Sequence, residues 1–291
     1  MLGRTAYSEI NANLSRQLEE KKCLIAVHRG SWGGDIIQNT CPAYDIALKM
    51  GGDMFEIDLV RSTDGVLYCF HDGNEPRVLG VQQNIKTMSS QEIDAFEPIN
   101  SIGGRSIQKI ERLENVLRRY THGELYNIDR AWDILPEVLA MLDRYPHAVN
   151  QALIKAPVRS SALDALAAHA VKYMFMPICY QESDIECVWA REDINMVGAE
   201  LIAETPADPL FSDDIIASLH AHGLFAWVNA ITLGTVRSHA LFGGLDDNIS
   251  VKEGFDKGWG GLLRKRIDII QTDWPSLLCA YRAAFFSEGR A

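Results

Sequence analysis

The 291-residue sequence is short of the features that would place it in several large protein classes. No apolar run approaches the roughly 18 residues that a membrane-spanning helix needs, so no integral membrane association is expected. The first 22 residues have no apolar core of about seven residues such as a secretory leader carries, and read instead as a polar lead-in helix over 1–22. Positive charge is scarce: 28 Lys and Arg stand against 39 Asp and Glu, a formal net charge of −11. Binding nucleic acid without sequence preference depends on basic side chains that displace counterions from phosphates, so no nucleic-acid partner is expected. The six cysteines, Cys23, Cys41, Cys69, Cys179, Cys187 and Cys279, include no CxxC pair. Scattered cysteines of this kind, several of them in apolar runs, predict buried reduced thiols in a cytoplasmic protein. A secreted or periplasmic location would require a leader removed ahead of this sequence. The phosphate loop GxxxxGK[ST], a GxGxxG after the first strand, the GxSxG elbow and the HExxH helix are all missing. Their absence removes the signatures of nucleotide-binding, serine-hydrolase and zinc-protease chemistry.

What remains has the composition of a globular enzyme. Hydrophobic residues make up 47% and charged residues 23%, enough apolar material for a sizeable core and too little charge for disorder. Short apolar runs at 24–27, 54–58, 125–129, 152–155, 174–179, 197–201, 225–229 and 267–271 alternate with stretches of helical spacing. Such stretches include 43–50, 113–120, 135–145, 161–171 and 213–222. Eight strand and helix units predict an α/β fold, a closed (β/α)8 TIM barrel, within a single domain over 23–291. An open doubly wound sheet is the alternative.

A ninth run at 66–70 lies too close to the second strand for a parallel crossover, which needs a dozen or more residues. It therefore predicts a β-hairpin after strand 2. A two-residue turn at Asp64-Gly65 would pair Thr63 with Val66 and Asp58 with His71. Directly opposed residues share a face, so this register predicts that Glu56, Asp58 and His71 converge. From about 73 to 110 the chain is rich in Gly, Pro, Asn, Gln and Ser, which predicts an insertion over one barrel face without a hydrophobic core of its own. A second irregular connection is expected over 241–261, its acidic Asp246-Asp247-Asn248 run a solvated loop.

Barrel active sites lie at the carboxyl ends of the strands. There the sequence places His28 and Arg29, Glu56 and Asp58 with His71, Asp129 and Arg130, Lys155, Glu200, Asn229 and Asp273. Glu56, Asp58 and Asp129, with no cysteine ligand nearby, form a hard oxygen set suited to Mg²⁺ or Ca²⁺. The competing reading is that these carboxylates only pair with Arg29, Arg130 and Lys155. Both hold together if the cations and a bound metal share a phosphate. Two histidines, with ordinary pKa values near 6.5, suit paired general acid and base work at neutral pH. A two-carboxylate glycosidase fits the barrel but has no use for the histidine pair or the basic ring.

These residues resemble the glycerophosphodiester phosphodiesterase family. The run VHRG at 27–30 is followed by QNTCPAY at 38–44 and FEIDLVRSTDGVLYCFHD at 55–72. Looser matches follow at LYNID (125–129), GLFAWVNA (223–230) and IIQTDWP (269–275). The resemblance implies a TIM barrel with a segment inserted after the HD motif, acting on a small-molecule glycerophosphodiester to release sn-glycerol 3-phosphate and an alcohol. It implies that His28 and His71 are the acid and base, that Glu56, Asp58 and Asp129 hold a divalent metal, and that Arg29 holds the phosphate. It leaves open which histidine is the base, and whether the nucleophile is water or the substrate's own glycerol 2-hydroxyl. A phospholipase D-like lyase on lysolipids or sphingolipids uses the same set and would need an apolar rim, for which Ile99, Ile102, Leu241, Phe242 and Leu245 are candidates. A noncatalytic phosphate-binding barrel is the third alternative.

Three positions depart from the family pattern. Gln38 replaces a Glu that would partner Arg29 or His28, although Asn39 and Thr40 can still cap the next helix, with Pro42 in its first turn. Asp129 replaces a longer Glu. Ala131 stands where the family has a basic residue; Arg130 would point to the opposite side of a continuing strand, so Lys155 is the candidate for the missing phosphate-binding charge. Trp227 and Asn229 fit either pocket wall or barrel core, and Asp273 reads as a turn or cap residue.

Overall fold

Nine short runs of aliphatic and aromatic residues form the strands of a computed structural model that describes residues 2–158, 161–233 and 241–289. Met1 and residues 290–291, the outer ends of the segments expected from sequence, lie outside the described residues. The strands are β1 (Leu24–Val27), β2 (Met54–Arg61), β3 (Leu67–Cys69), β4 (Leu125–Asp129), β5 (Ala152–Pro157), β6 (Met174–Cys179), β7 (Gly198–Leu201), β8 (Phe225–Asn229) and β9 (Ile269–Thr272). Eight of them run parallel in the order β1-β9-β8-β7-β6-β5-β4-β2. Pairing of Ala26 with Met54 and of Val27 with Phe55 joins the two ends, so the sheet closes into the expected TIM barrel.

Closure explains why these strands read as continuous apolar runs: both faces are buried. Alternate residues such as Ile25, Phe55, Ile57 and Ile154 pack outward against the helices. Their neighbours Leu24, Met54, Leu153, Met174, Phe225 and Trp227 fill the barrel interior. Helix α1 (Ser8–Lys21) covers the amino-terminal mouth by laying Ile10, Leu14 and Leu18 on that interior layer. Full burial of Leu14 contributes roughly 1.5–3 kcal/mol. Paired amide bonds between Asn11 and Asn195, at 3.0 and 2.8 Å, fix the rotation of the helix. Around the wall follow α2 (Cys41–Lys49), α3 (Glu75–Val78), α4 (Ser90–Ala95), α5 (Leu113–Arg119), α6 (Leu135–Leu142), α7 (Ala162–Ala168) and α8 (Glu182–Trp189). The ring is completed by α9 (Asp213–Ala221), α10 (Asp247–Glu253), α11 (Trp259–Arg264) and α12 (Pro275–Ser287). No helix among the described residues is long and apolar enough to cross a membrane.

The hairpin forms, but one residue out of the expected register. Leu59 pairs with Cys69, Val60 with Tyr68 and Arg61 with Leu67. The turn holds three residues instead of two: Ser62 bonds Val66 across it, and Gly65 takes φ +89°. That left-handed residue is what a three-residue hairpin loop requires, and Asp-Gly serves it as well as it serves a two-residue turn. In this register Asp58 lies opposite Phe70, whose N–H donates to the Asp58 carbonyl at 2.9 Å, and parity alone would turn His71 away from Asp58.

Two other expectations are corrected. The insertion has a small core of its own, in which Val78, Leu79, Ile85, Met88 and Ile93 close over Val60, Tyr68 and Phe70 from the hairpin. The acidic run is not a solvated loop either. Asp246 caps α10 by accepting from the Ile249 N–H at 2.8 Å, and Asp247 is buried. Phe242, proposed for an apolar rim, is buried against Phe211.

Candidate active site

The carboxyl end of β2 points Glu56 and Asp58 to the inside, because residues two apart share a strand face. Parallel pairing sets Asp58 level with Asp129 at the end of β4. Carboxylate oxygens of Glu56, Asp58 and Asp129 lie within 4.8 Å of one another. Glu56 Oε2 accepts from the Arg29 N–H at 3.0 Å, whereas the buried Glu56 Oε1 has no hydrogen-bond partner among the described residues. Burial, with Asp58 and Asp129 beside it, pushes the Glu56 carboxyl well above the usual carboxylate range against the pull of Lys155 and Arg29. An orphaned buried oxygen, crowded by two further carboxylates in an all-oxygen set, fits a hard divalent cation such as Mg²⁺ or Ca²⁺.

The loop after β1 supplies the first histidine and arginine. Gly30 has φ +72°, and a Cβ there would sit 2.6 Å from the Ala43 carbonyl carbon, so the HRG turn needs glycine to pass α2. Arg29 is itself left-handed at φ 56°. Its Nε lies 2.9 Å from Asp58 Oδ2, and its Nη1 donates to Gln38 Oε1 at 3.0 Å. Gln38 therefore still partners Arg29 as a neutral acceptor. Asn39, also left-handed at φ 57°, is not a helix cap: its Nδ2 donates to Asp58 Oδ2 at 3.0 Å and its Oδ1 accepts from the Asp58 N–H. Thr40 occupies the cap position of α2 but sends its hydroxyl to the Ile37 carbonyl at 2.6 Å.

Both histidines have their Nδ1 engaged. His28 Nδ1 is 3.0 Å from Asp273 Oδ1, so Asp273 is a partner to the imidazole, and more than the turn residue expected from sequence. Asp273 is set in turn by Asp247, which accepts from the Asp273 N–H, Thr272 Oγ1 and Trp259 Nε1 at 2.8–2.9 Å. His71 Nδ1 lies 2.7 Å from the Asp72 carbonyl; a carbonyl only accepts, so Nδ1 carries the hydrogen and Nε2 is the ring atom with a free lone pair. His71 reaches the rim because β3 stops at Cys69 and the chain turns there. Glu75 holds that turn, accepting from the Gly73 and Ile85 N–H groups at 2.6 and 3.0 Å. Burial lowers the His71 pKa, Arg29 and Arg130 lower it further, and Asp58 opposes them.

Arg130 does not turn away from the site. A φ of 56° ends the strand alternation there, and the guanidinium donates from Nε and Nη2 to Asp72 Oδ1 at 2.9 and 2.6 Å. Lys155 lies deeper, with 4% of its side chain exposed, between Asp129 Oδ2 at 2.9 Å and Glu200 Oε2 at 3.2 Å. Burial disfavours its charge, but Asp129, Glu200 and Glu56 outweigh burial and hold the ammonium well above its ordinary range. Glu200 Oε1 accepts from Asn229 Nδ2 at 2.6 Å, and Asn229 Oδ1 from Trp227 Nε1 at 2.9 Å. Trp227 is thus part of the barrel interior, and Asn229 links it to the acidic cluster. The pairings of Asp273, Glu75, Asn39 and Asp72 had no signal in the sequence beyond the position of each residue at a strand end or turn.

The sequence profile of the glycerophosphoryl diester phosphodiesterase family matches residues 28–223, and that of a domain of unknown function matches residues 175–282. Glycerophosphodiester phosphodiesterase GDPD6 of Arabidopsis thaliana is 39% identical over 67 residues, which is 23% of this chain and 18% of that protein. The first curated relatives are matched over 18–40% of their lengths. A glycerophosphoryl diester phosphodiesterase structure from Parabacteroides distasonis gives a TM-score of 0.66 at 18% identity, covering 91% of this chain and 87% of that one. An Oleispira antarctica phosphodiesterase, solved with the product sn-glycerol-3-phosphate, gives 0.64 at 17% identity over 90% and 96% of the two chains. At such identities the two structures establish a shared fold.

Proposed function

Because this chain belongs to the glycerophosphoryl diester phosphodiesterase family, we propose that it hydrolyses glycerophosphodiesters to sn-glycerol 3-phosphate and an alcohol, with Mg²⁺ or Ca²⁺ held by Glu56, Asp58 and Asp129. The observation that carries this reading is the joining, on one barrel rim, of an orphaned carboxylate oxygen in a three-carboxylate cluster with two imidazoles whose Nδ1 atoms are both engaged. A cation held by Glu56, Asp58 and Asp129 would supply Lewis-acid charge to the substrate phosphate.

The chain's own groups account for the proton traffic. His71, kept neutral near pH 7 by its lowered pKa, takes the nucleophile's proton at Nε2. His28, its ring oriented by Asp273, delivers a proton from Nε2 to the departing alkoxide. Arg29 has its Nε on Asp58 and its Nη1 on Gln38, which leaves Nη2 to donate to the phosphate. Lys155 adds positive charge from beneath Asp129. Arg29 and Lys155 offset the crowding of Glu56, Asp58, Asp129 and Glu200 only in part, which favours a bound divalent ion.

The test is release of glycerol 3-phosphate from a panel of glycerophosphodiesters with Mg²⁺, with Ca²⁺ and with chelator. Release should require metal, and His71→Ala should lower kcat by roughly 10²–10⁴-fold, the range of general acid and base groups. Turnover of lysophospholipids with no turnover of glycerophosphodiesters, or a His71→Ala enzyme at near full rate, would overturn the reading.

A further inference from the structure

Three of the eight large hydrophobic side chains exposed among the described residues, Trp32, Met50 and Trp274, line a single cavity of about 500 Å³. They are 36%, 37% and 49% exposed, and Ile36 and Ile46 complete the apolar wall. Isolated apolar residues on a surface need no explanation, but a cluster that lines one concavity marks a binding site. This cavity borders the candidate active site: Gly30 and Asp273 also line it, and Asp273 holds His28.

We propose that this cavity is the subsite for the leaving alcohol and that it selects glycerophosphodiesters whose alcohol carries an uncharged apolar body. The inference rests on the phosphodiesterase reading above. A phosphodiester has two arms, and the glycerol arm, with its free hydroxyls, has little to gain from Trp32, Ile46, Met50 and Trp274. The alcohol arm is the one that an apolar wall can distinguish. A cationic headgroup is the other ligand that two tryptophans could hold, and the charges oppose it. The Arg77 guanidinium stacks 4.9 Å from the centre of the Trp32 ring, and the one lining carboxylate, Asp273, is engaged by His28. A second cation would meet Arg77 without an unengaged carboxylate to offset it.

The experiment is a homologous series of glycerophosphoethanol, glycerophosphobutanol and glycerophosphohexanol, with glycerophosphocholine as the cationic member, all assayed with metal for glycerol 3-phosphate below micelle-forming concentrations. Wild-type kcat/KM should climb with chain length by up to about fourfold per methylene, the factor for full burial of one methylene. Contact made equally in the ground and transition states appears in KM, and contact realised only in the transition state appears in kcat, so kcat/KM captures the gain in either case. Trp274→Ala and Trp32→Ala should each flatten that slope. Equal efficiency along the series, preference for the choline ester, or a slope that survives in both variants would overturn the inference and leave the phosphodiesterase reading standing. No release from any member, glycerophosphoethanol included, would instead overturn the underlying reading, and the subsite with it.

Discussion

Lys155→Met would remove the ammonium that separates the buried Glu200 carboxylate from the half-buried Asp129. Asp129 and Glu200, now 2.9 and 3.2 Å from Nζ, would face each other and Glu56 with no intervening charge, and Glu200 and Lys155 have only 4% of their side chains exposed. Removing one partner of a buried pair costs about 3–5 kcal/mol, because the charge left behind is neither hydrated nor compensated. For a chain of this size, at about 2–4 °C per kcal/mol, the melting midpoint in chelator should fall by roughly 6–20 °C. Added Mg²⁺ or Ca²⁺ should then do more for the variant than for the wild type. A cation at a hundred times its Kd stabilises the folded state by about 2.7 kcal/mol, and the affinity should rise once the competing ammonium is gone. The assay is thermal unfolding of both proteins with chelator and with saturating metal. A variant that melts within about 2 °C of wild type in chelator, or a metal-induced shift no larger than the wild-type shift, would refute the electrostatic account of the cluster.

Asp273→Ala should lower kcat by roughly 10- to 100-fold, the value of a hydrogen bond of 1.5–3 kcal/mol to a charged group, while the melting midpoint barely moves because Asp273 is exposed. The lowered His71 pKa sets the acidic limb of kcat/KM below pH 6.5: protonation of the base switches the enzyme off only under that value. The same shift favours the fold above pH 6.5, and that contribution is lost as pH falls through the native pKa. Arg130→Met removes one of the charges that depress His71, so the acidic limb should move toward pH 6.5; an unmoved limb would show that His71 is not the titrating base. Gly30→Ala places a methyl 2.6 Å from the Ala43 carbonyl carbon at φ +72°, and the left-handed backbone alone costs about 1–2 kcal/mol. Thermal unfolding should register that loss, with activity falling further as His28 and Arg29 shift.

The barrel was legible in the sequence because a strand buried on both faces must be apolar along its whole length, and eight such runs separated by helical spacing admit few other folds. The strand ends were less so. β2 runs on to Arg61 because the hairpin partner extends its pairing, a long-range effect that periodicity does not register. The register slipped by one because Asp64-Gly65 satisfies two turns of different length, and only the packing of Phe70 into the insertion core distinguishes them. That core escaped notice because Ile37, Val60, Phe70, Ile85 and Ile93 come from separate segments with no common period. Asp247 departs from the rule that a run of acidic residues is solvated, because Trp259 and Thr272, distant in sequence, donate to it. The apolar cavity carries no sequence signal for the same reason: Trp32, Met50 and Trp274 lie on three connections far apart in the chain.

Three polar residues of the site share a backbone feature that strand parity does not anticipate. Arg29, Asn39 and Arg130 all have positive φ, and all three lie at the carboxyl rim of the barrel. A left-handed residue without glycine costs about 1–2 kcal/mol, so each must be held by something specific. Asp58 and Gln38 hold Arg29, Asp58 holds Asn39, and Asp72 holds Arg130. Strand parity fails at these points because the chain leaves strand geometry in order to aim polar groups across the barrel mouth. Two of the three strained residues are anchored on Asp58, one of the proposed metal ligands, while Arg130 reaches Asp72, whose carbonyl fixes the His71 ring. The strain is thereby tied to Asp58, which would hold the metal, and to Asp72, whose backbone carbonyl orients the base, which is where departures from local backbone preference concentrate in functional sites.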